Sequence, residues 1–133
     1  MLVVIVGHKN CGGVVATHKR AFPNSPDEEG QSSDGIVLEP LDDSEQSRSA
    51  AQNALNRWLT PLVNHLTSFR PITLERAHME NVRMQVDNLL TLKNDILRWS
   101  GQQAVVLHGW LYDFTTGIIE RIDGREITPI GSD

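Results

Sequence analysis

Apolar positions along the chain recur in two periods. Leu2 to Val6 (LVVIV) is an unbroken, mostly β-branched run stopped by Gly7. That pattern predicts a short strand buried on both faces, as in a parallel sheet. Gly12-Gly13 then opens VVATHKRAF, a predicted helix directly after the strand. Phe22 to Gly35 (FPNSPDEEGQSSDG) is rich in proline, glycine, serine and acid, and residues 22–42 are read as a surface loop. From Asp43 the period becomes helical, with Asp43 or Ser44 as N-cap. Ala51, Leu55, Trp58, Leu59, Leu62, Val63 and Leu66 then share one face. Pro61 lies within that run and is expected to kink or break it.

Pro71 closes the segment, and Thr73 is placed to cap a further helix with the face Leu74, Ala77, Val82, Val86, Leu89 and Leu90. A shorter helical piece, Asn94 to Trp99, ends at Ser100-Gly101. Ala104 to Tyr112 (AVVLHGWLY) reads as a second strand, DFTTG as a turn, and Ile118 to Ile122 as a third strand folding back antiparallel. The tail from Asp123 to Asp133 reads as irregular.

Strand, helices, strand, strand is an α/β order. It predicts a small, mainly parallel sheet with flanking helices and a C-terminal antiparallel hairpin strand, in one domain spanning residues 1–133. A strand as apolar as LVVIV needs neighbours on both edges, because exposed at an edge it would template association. The sheet is therefore expected to be completed by residues or a chain not present here.

Composition narrows the function classes. Formal net charge is -5, and the 12 lysines and arginines are scattered, which argues against nucleic acid or an anionic membrane as the main partner. The longest apolar run is too short to span a bilayer. No signal-peptide pattern opens the chain, so a cytoplasmic location is expected. One cysteine excludes an internal disulfide and suits a reducing compartment.

That cysteine, Cys11, stands three residues after His8 in GHKNCGG, just past the first strand. Thiolate and imidazole are favoured zinc ligands, and the end of a strand is where open α/β sheets place ligands. Gly7, Gly12 and Gly13 are read as letting the backbone bend tightly beside a small site, with Gly12 and Gly13 as candidate substrate-binding positions. H-x-x-C alone is also compatible with a buried, chemically idle pair or with a Cys-His nucleophile.

Three blocks extend the pattern: GHKNCGGV with its preceding strand, MENVRMQVDNLL (Met79 to Leu90) and VVLHGWLYDFTTGIIERI (Val105 to Ile122). In this order and at this spacing they resemble the β-class carbonic anhydrases. The resemblance implies reversible hydration of carbon dioxide to bicarbonate at one zinc ion held by two cysteines and a histidine. His8 and Cys11 match the histidine and the second cysteine. Such a metal lowers the pKa of its water from about 16 to about 7. The family is usually oligomeric, so a homo- or hetero-oligomer is expected.

The resemblance also implies a first ligand from a Cys-x-Asp-Ser-Arg motif on an earlier strand. This chain has neither a second cysteine nor that motif. Alone it is expected to bind zinc weakly and to turn over little, since catalytic zinc usually takes three protein ligands. Several completions are open: a longer enzyme of which this is the carboxyl-terminal part, a split subunit, an inactive relic, or a zinc site shared by two copies. The rival from another class is a non-catalytic interaction subunit that associates with a complete homologue. A zinc lyase of a larger substrate is a further alternative.

Among the remaining residues, His108 is read as a core or edge histidine, and His18, His65 and His78 as surface or boundary residues. Glu80 and Asn81 are read as structural. Asp42, Asp43 and Glu45 are helix N-terminal charge, and Trp58, Trp99 and Trp110 core or interface anchors.

Overall fold

In the computed structural model, residues 1–24 and 50–131 are described. The loop beyond Asn24, the Asp43 or Ser44 cap and the acidic cluster at Asp42, Asp43 and Glu45 lie outside them. The elements are β1 (Leu2–His8), α1 (Gly12–Ala21), α2 (Ala50–Thr67), α3 (Leu74–Leu90), α4 (Lys93–Trp99), β2 (Val105–Tyr112) and β3 (Ile119–Ile127). They form two compact units, Met1–Lys9 with His78–Asp133, and Asn10–Ala77.

The first unit holds a three-stranded sheet in the order β1-β2-β3. β1 runs parallel to β2 with Val4 opposite His108, and β2 pairs antiparallel with β3. This is the expected α/β architecture, as a mixed sheet. Alternation along β2 sends Val105, Leu107, Gly109 and Leu111 to the buried face. Val105 and Leu107 join Ile96, Leu97 and Ile127 in a core cluster, with Val3, Leu89 and Leu90 against it. Glycine decides how closely α3 packs. A Cβ on Gly7 would lie 2.7 Å from Val82 Cγ2, and one on Gly109 would lie 2.6 Å from Val82 Cγ1 and 2.9 Å from Val86 Cγ2. Helix α3 therefore lies directly on bare sheet backbone at these two points.

Several expectations are corrected here. β1 does not stop at Gly7 but continues to His8, and the role of Gly7 is close packing, not a bend. Nor is β1 buried on both faces: Leu2 and Val6 are more than half exposed, because they alternate onto a sheet face that is open there, with Val106 of β2 exposed beside Leu2. The segment from Asp123 is strand to Ile127, not irregular. Its pattern was hidden by polar residues on an edge and by a bulge: Gly109 faces Asp123 but Trp110 faces Arg121, leaving Ile122 as the extra residue. Helix α4 ends as expected at Ser100-Gly101. The Gly101 N–H donates to the Arg98 carbonyl and the Gln102 N–H to Leu97, with Gly101 at φ +68°. That is a Schellman cap.

In the second unit α1 packs on α2. Val14, Val15, Ala16, Leu59, Leu62 and Leu66 are buried. Thr73 caps α3 as predicted, its Oγ1 accepting from the Arg76 N–H at 3.2 Å. Of the kink or break expected at Pro61, a break does not occur: α2 passes through it as one helix. Pro61 is exposed, so solvent can reach the carbonyl that its missing N–H leaves unpaired. Trp58 is exposed rather than core, because the buried stripe runs through Asn56, Leu59, Leu62 and Leu66 and passes beside it. Trp99, on α4, is exposed as well, whereas Trp110 is half-buried. His18 and His78 are buried, not surface residues. His18 tolerates this because its Nε2 lies 2.6 Å from the Ile72 carbonyl oxygen.

Candidate metal centre

His8 ends β1, the strand that sets its direction. Its Nδ1 lies 3.1 Å from the Lys9 carbonyl oxygen. In the tautomer protonated at Nδ1, that nitrogen donates to the carbonyl and Nε2 keeps its lone pair for a metal. Metal-binding histidines are commonly anchored in this way. The Lys9 N–H donates to the Tyr112 carbonyl at 2.8 Å, so the pairing of β1 with β2 is carried one residue past the imidazole.

Around His8 the first unit adds an aromatic group. The Phe114 ring meets the His8 ring edge to face, centroids 5.2 Å apart. The Tyr112 ring meets Phe114 in the same way at 4.9 Å. Tyr112 ends β2 and Phe114 lies in the β2–β3 connection, whose tip is folded by Asp113. The Asp113 carboxylate accepts from the Thr115 N–H at 2.9 Å and the Thr115 hydroxyl at 2.6 Å. These bonds, with Lys9 Nζ 4.0 Å away, hold the Asp113 carboxyl below the usual range. Neither Tyr112 nor Phe114 was selected by the sequence reading. The short DFTTG link was the available signal, since a tight hairpin returns its tip residues to the strand ends.

Cys11, in the second unit, occupies the N-cap position of α1, and its carbonyl accepts from the Val15 N–H at 2.9 Å. Its side chain does not cap the helix. The thiol is half-buried and in no disulfide. Gly12 and Gly13 are the first helical residues. A Cβ on Gly13 would lie 3.6 Å from Leu59 Cδ2 and 3.8 Å from Cys11 Sγ, an ordinary contact. The backbone reversal assigned to the glycines is made by Asn10 instead, at φ +58°. Asparagine is one of the few non-glycine residues that adopts this region readily.

In kind, the donors fit zinc: an imidazole with Nδ1 engaged, and a thiol in a half-buried loop. In number they fall short. Among the described residues, no group of three or more His, Cys, Asp or Glu is placed to hold a metal ion. His108 is half-buried on β2 over Gly124, which agrees with its reading as a core or edge histidine; its buried Nδ1 has no hydrogen-bond partner. Glu80 is buried and accepts from Arg83 at 2.7 Å, a structural role on α3. Among the described residues no helix is long and apolar enough to cross a membrane.

A family model described as carbonic anhydrase matches residues 1–119 of the 133. The chain belongs to the β-class carbonic anhydrase family. No curated protein sequence matches it.

Proposed function

We propose that this chain contributes to a zinc-dependent carbonic anhydrase, with carbon dioxide and bicarbonate as substrates and His8 and Cys11 as two protein ligands of the metal. The observation that carries the reading is the anchored imidazole of His8, three residues before the half-buried thiol of Cys11, in a chain of this family. Zinc, when bound, makes hydroxide available at neutral pH. The residues of the chain do the rest of the positioning. The Lys9 carbonyl fixes the His8 tautomer, Asn10 turns the backbone, and Cys11 supplies a negative donor beside Gly12 and Gly13, the candidate substrate-binding positions. The described residues offer no third donor, and the reading takes it from a continuation of the chain or a partner polypeptide. A cytoplasmic, reducing location keeps Cys11 available as a ligand.

The test is zinc stoichiometry by equilibrium dialysis, followed by stopped-flow hydration of carbon dioxide. The chain alone is expected to hold zinc weakly. Adding a polypeptide that carries a Cys-x-Asp-Ser-Arg segment is expected to raise zinc toward one per chain and to bring turnover. His8→Ala and Cys11→Ser are each expected to abolish both. Zinc uptake indifferent to both substitutions would overturn the ligand assignment.

A second reading, a non-catalytic interaction subunit, is favoured by one contrast. The β3 edge carries Glu120, Arg121, Asp123, Arg125 and Glu126, whereas β1 has no charged residue from Leu2 to Gly7. Natural sheets protect free edges with charge, so the bare β1 edge suits pairing with another strand. Stable hetero-assembly without zinc would select this reading.

A further inference from the structure

We infer that Phe114 is a positioning residue for His8, holding the imidazole in the orientation in which Nε2 faces a metal ion. This rests on the reading of His8 as a ligand and adds an element that the reading itself does not contain. Burial does not account for Phe114, which is 67% exposed. What it has instead is a geometry: its ring stands at 63° to the His8 ring, and the Tyr112 ring backs it at 78°. Edge-to-face pairs of this kind are preferred over face-to-face stacking.

The support behind Phe114 is hydrogen-bonded on both sides of the turn. The Asp113 N–H donates to the Ile118 carbonyl at 2.9 Å, and the Gly117 N–H donates to the Asp113 carbonyl at 2.8 Å. Gly117 sits at φ +73°, where a side chain would be strained. The tip is joined back to β1 by the Lys9 N–H on the Tyr112 carbonyl and by the ion pair of Lys9 with Asp113. The imidazole is therefore restrained at two places, through Nδ1 by a backbone oxygen and across its ring by Phe114. The hydrogen bond alone permits the ring to swing about the bonds to its backbone, and the aromatic contact biases it toward one orientation. An edge-to-face contact of this kind corresponds to about 2- to 10-fold in affinity for a metal that needs the ring so oriented.

The experiment compares wild-type chain with Phe114→Ala, Phe114→Leu and Phe114→Tyr. Histidine-labelled, metal-free protein is read by NMR, and cobalt(II) alone is then titrated, with the thiolate-to-cobalt absorption followed. In Phe114→Ala and Phe114→Leu the His8 ring resonances are expected to shift toward those of a freely rotating imidazole, while the β2 and β3 amide signals stay in place. Cobalt affinity is expected to fall about 2- to 10-fold. Phe114→Tyr, which keeps the ring, is expected to restore both. His8 resonances and cobalt affinity unchanged in Phe114→Leu would overturn the inference. Wild-type chain that takes up no cobalt would overturn the ligand reading, and the histidine spectra would still uphold or overturn the ordering of the ring by Phe114.

Discussion

Asn10 bears the strain of the turn between the two candidate ligands. At φ +58° it occupies a region that costs most side chains about 1–2 kcal/mol. Asn10→Gly is expected to leave stability nearly unchanged, and Asn10→Val to lower it by about 1–2 kcal/mol, read by urea denaturation. Equal stability of the two variants would show that the turn can be made elsewhere. The sequence made His8 and Cys11 conspicuous through chemistry and spacing. Asn10 was not conspicuous, because asparagine is common in turns and the neighbouring glycines offered a simpler source of flexibility. Phe114 was missed for a different reason: its significance lies in a ring 106 positions earlier in the chain, a contact that no local pattern encodes.

Among the elements, the fit of α3 on the sheet is the most exacting. Val82 and Val86 drop onto Gly109, and Val82 also onto Gly7. Both valines are branched at Cβ and cannot swing aside cheaply. Gly109→Ala is expected to destabilise the protein by about 1–3 kcal/mol through overpacking, measured by thermal or chemical denaturation. Gly124→Ala, whose new Cβ would meet only the His108 ring at 3.7 Å, is expected to be neutral or slightly stabilising. Equal losses at the two sites would indicate that strand flexibility, and not the helix contact, sets the cost. Helix faces were legible wherever apolar residues repeat with period 3.6, as Val82 and Val86 of α3 show. Strand β3 was only half legible, since Asp123, Gly124 and Arg125 carry no β signal and owe their extended form to pairing with β2.

For the whole molecule the question is what meets the edge of β1, which pairs with no second strand among the described residues. Val6 is 56% exposed on a strand whose other neighbours are also apolar. If this edge associates, Val6→Lys is expected to reduce concentration-dependent assembly, seen by light scattering, while changing stability little. Assembly unaffected by the lysine would place the contact elsewhere. The same edge bears on the metal. A strand added beside β1 would bring new side chains to its carboxyl end, where His8 stands and where the described residues supply too few donors.

Period, turn chemistry and motif were enough to determine the order of elements, a sheet with parallel strands, the hairpin, the Thr73 cap and the family. Each of these depends on residues close in sequence or on blocks whose order is itself the signal. Tertiary structure alone decided that β1 is an edge, that Pro61 is tolerated, that Trp58 and Trp99 face solvent while His18 is buried, and that an aromatic hairpin tip meets His8. These depend on which surfaces come together after the chain has folded, and burial, packing distance and solvent access are properties of that arrangement and not of any one segment.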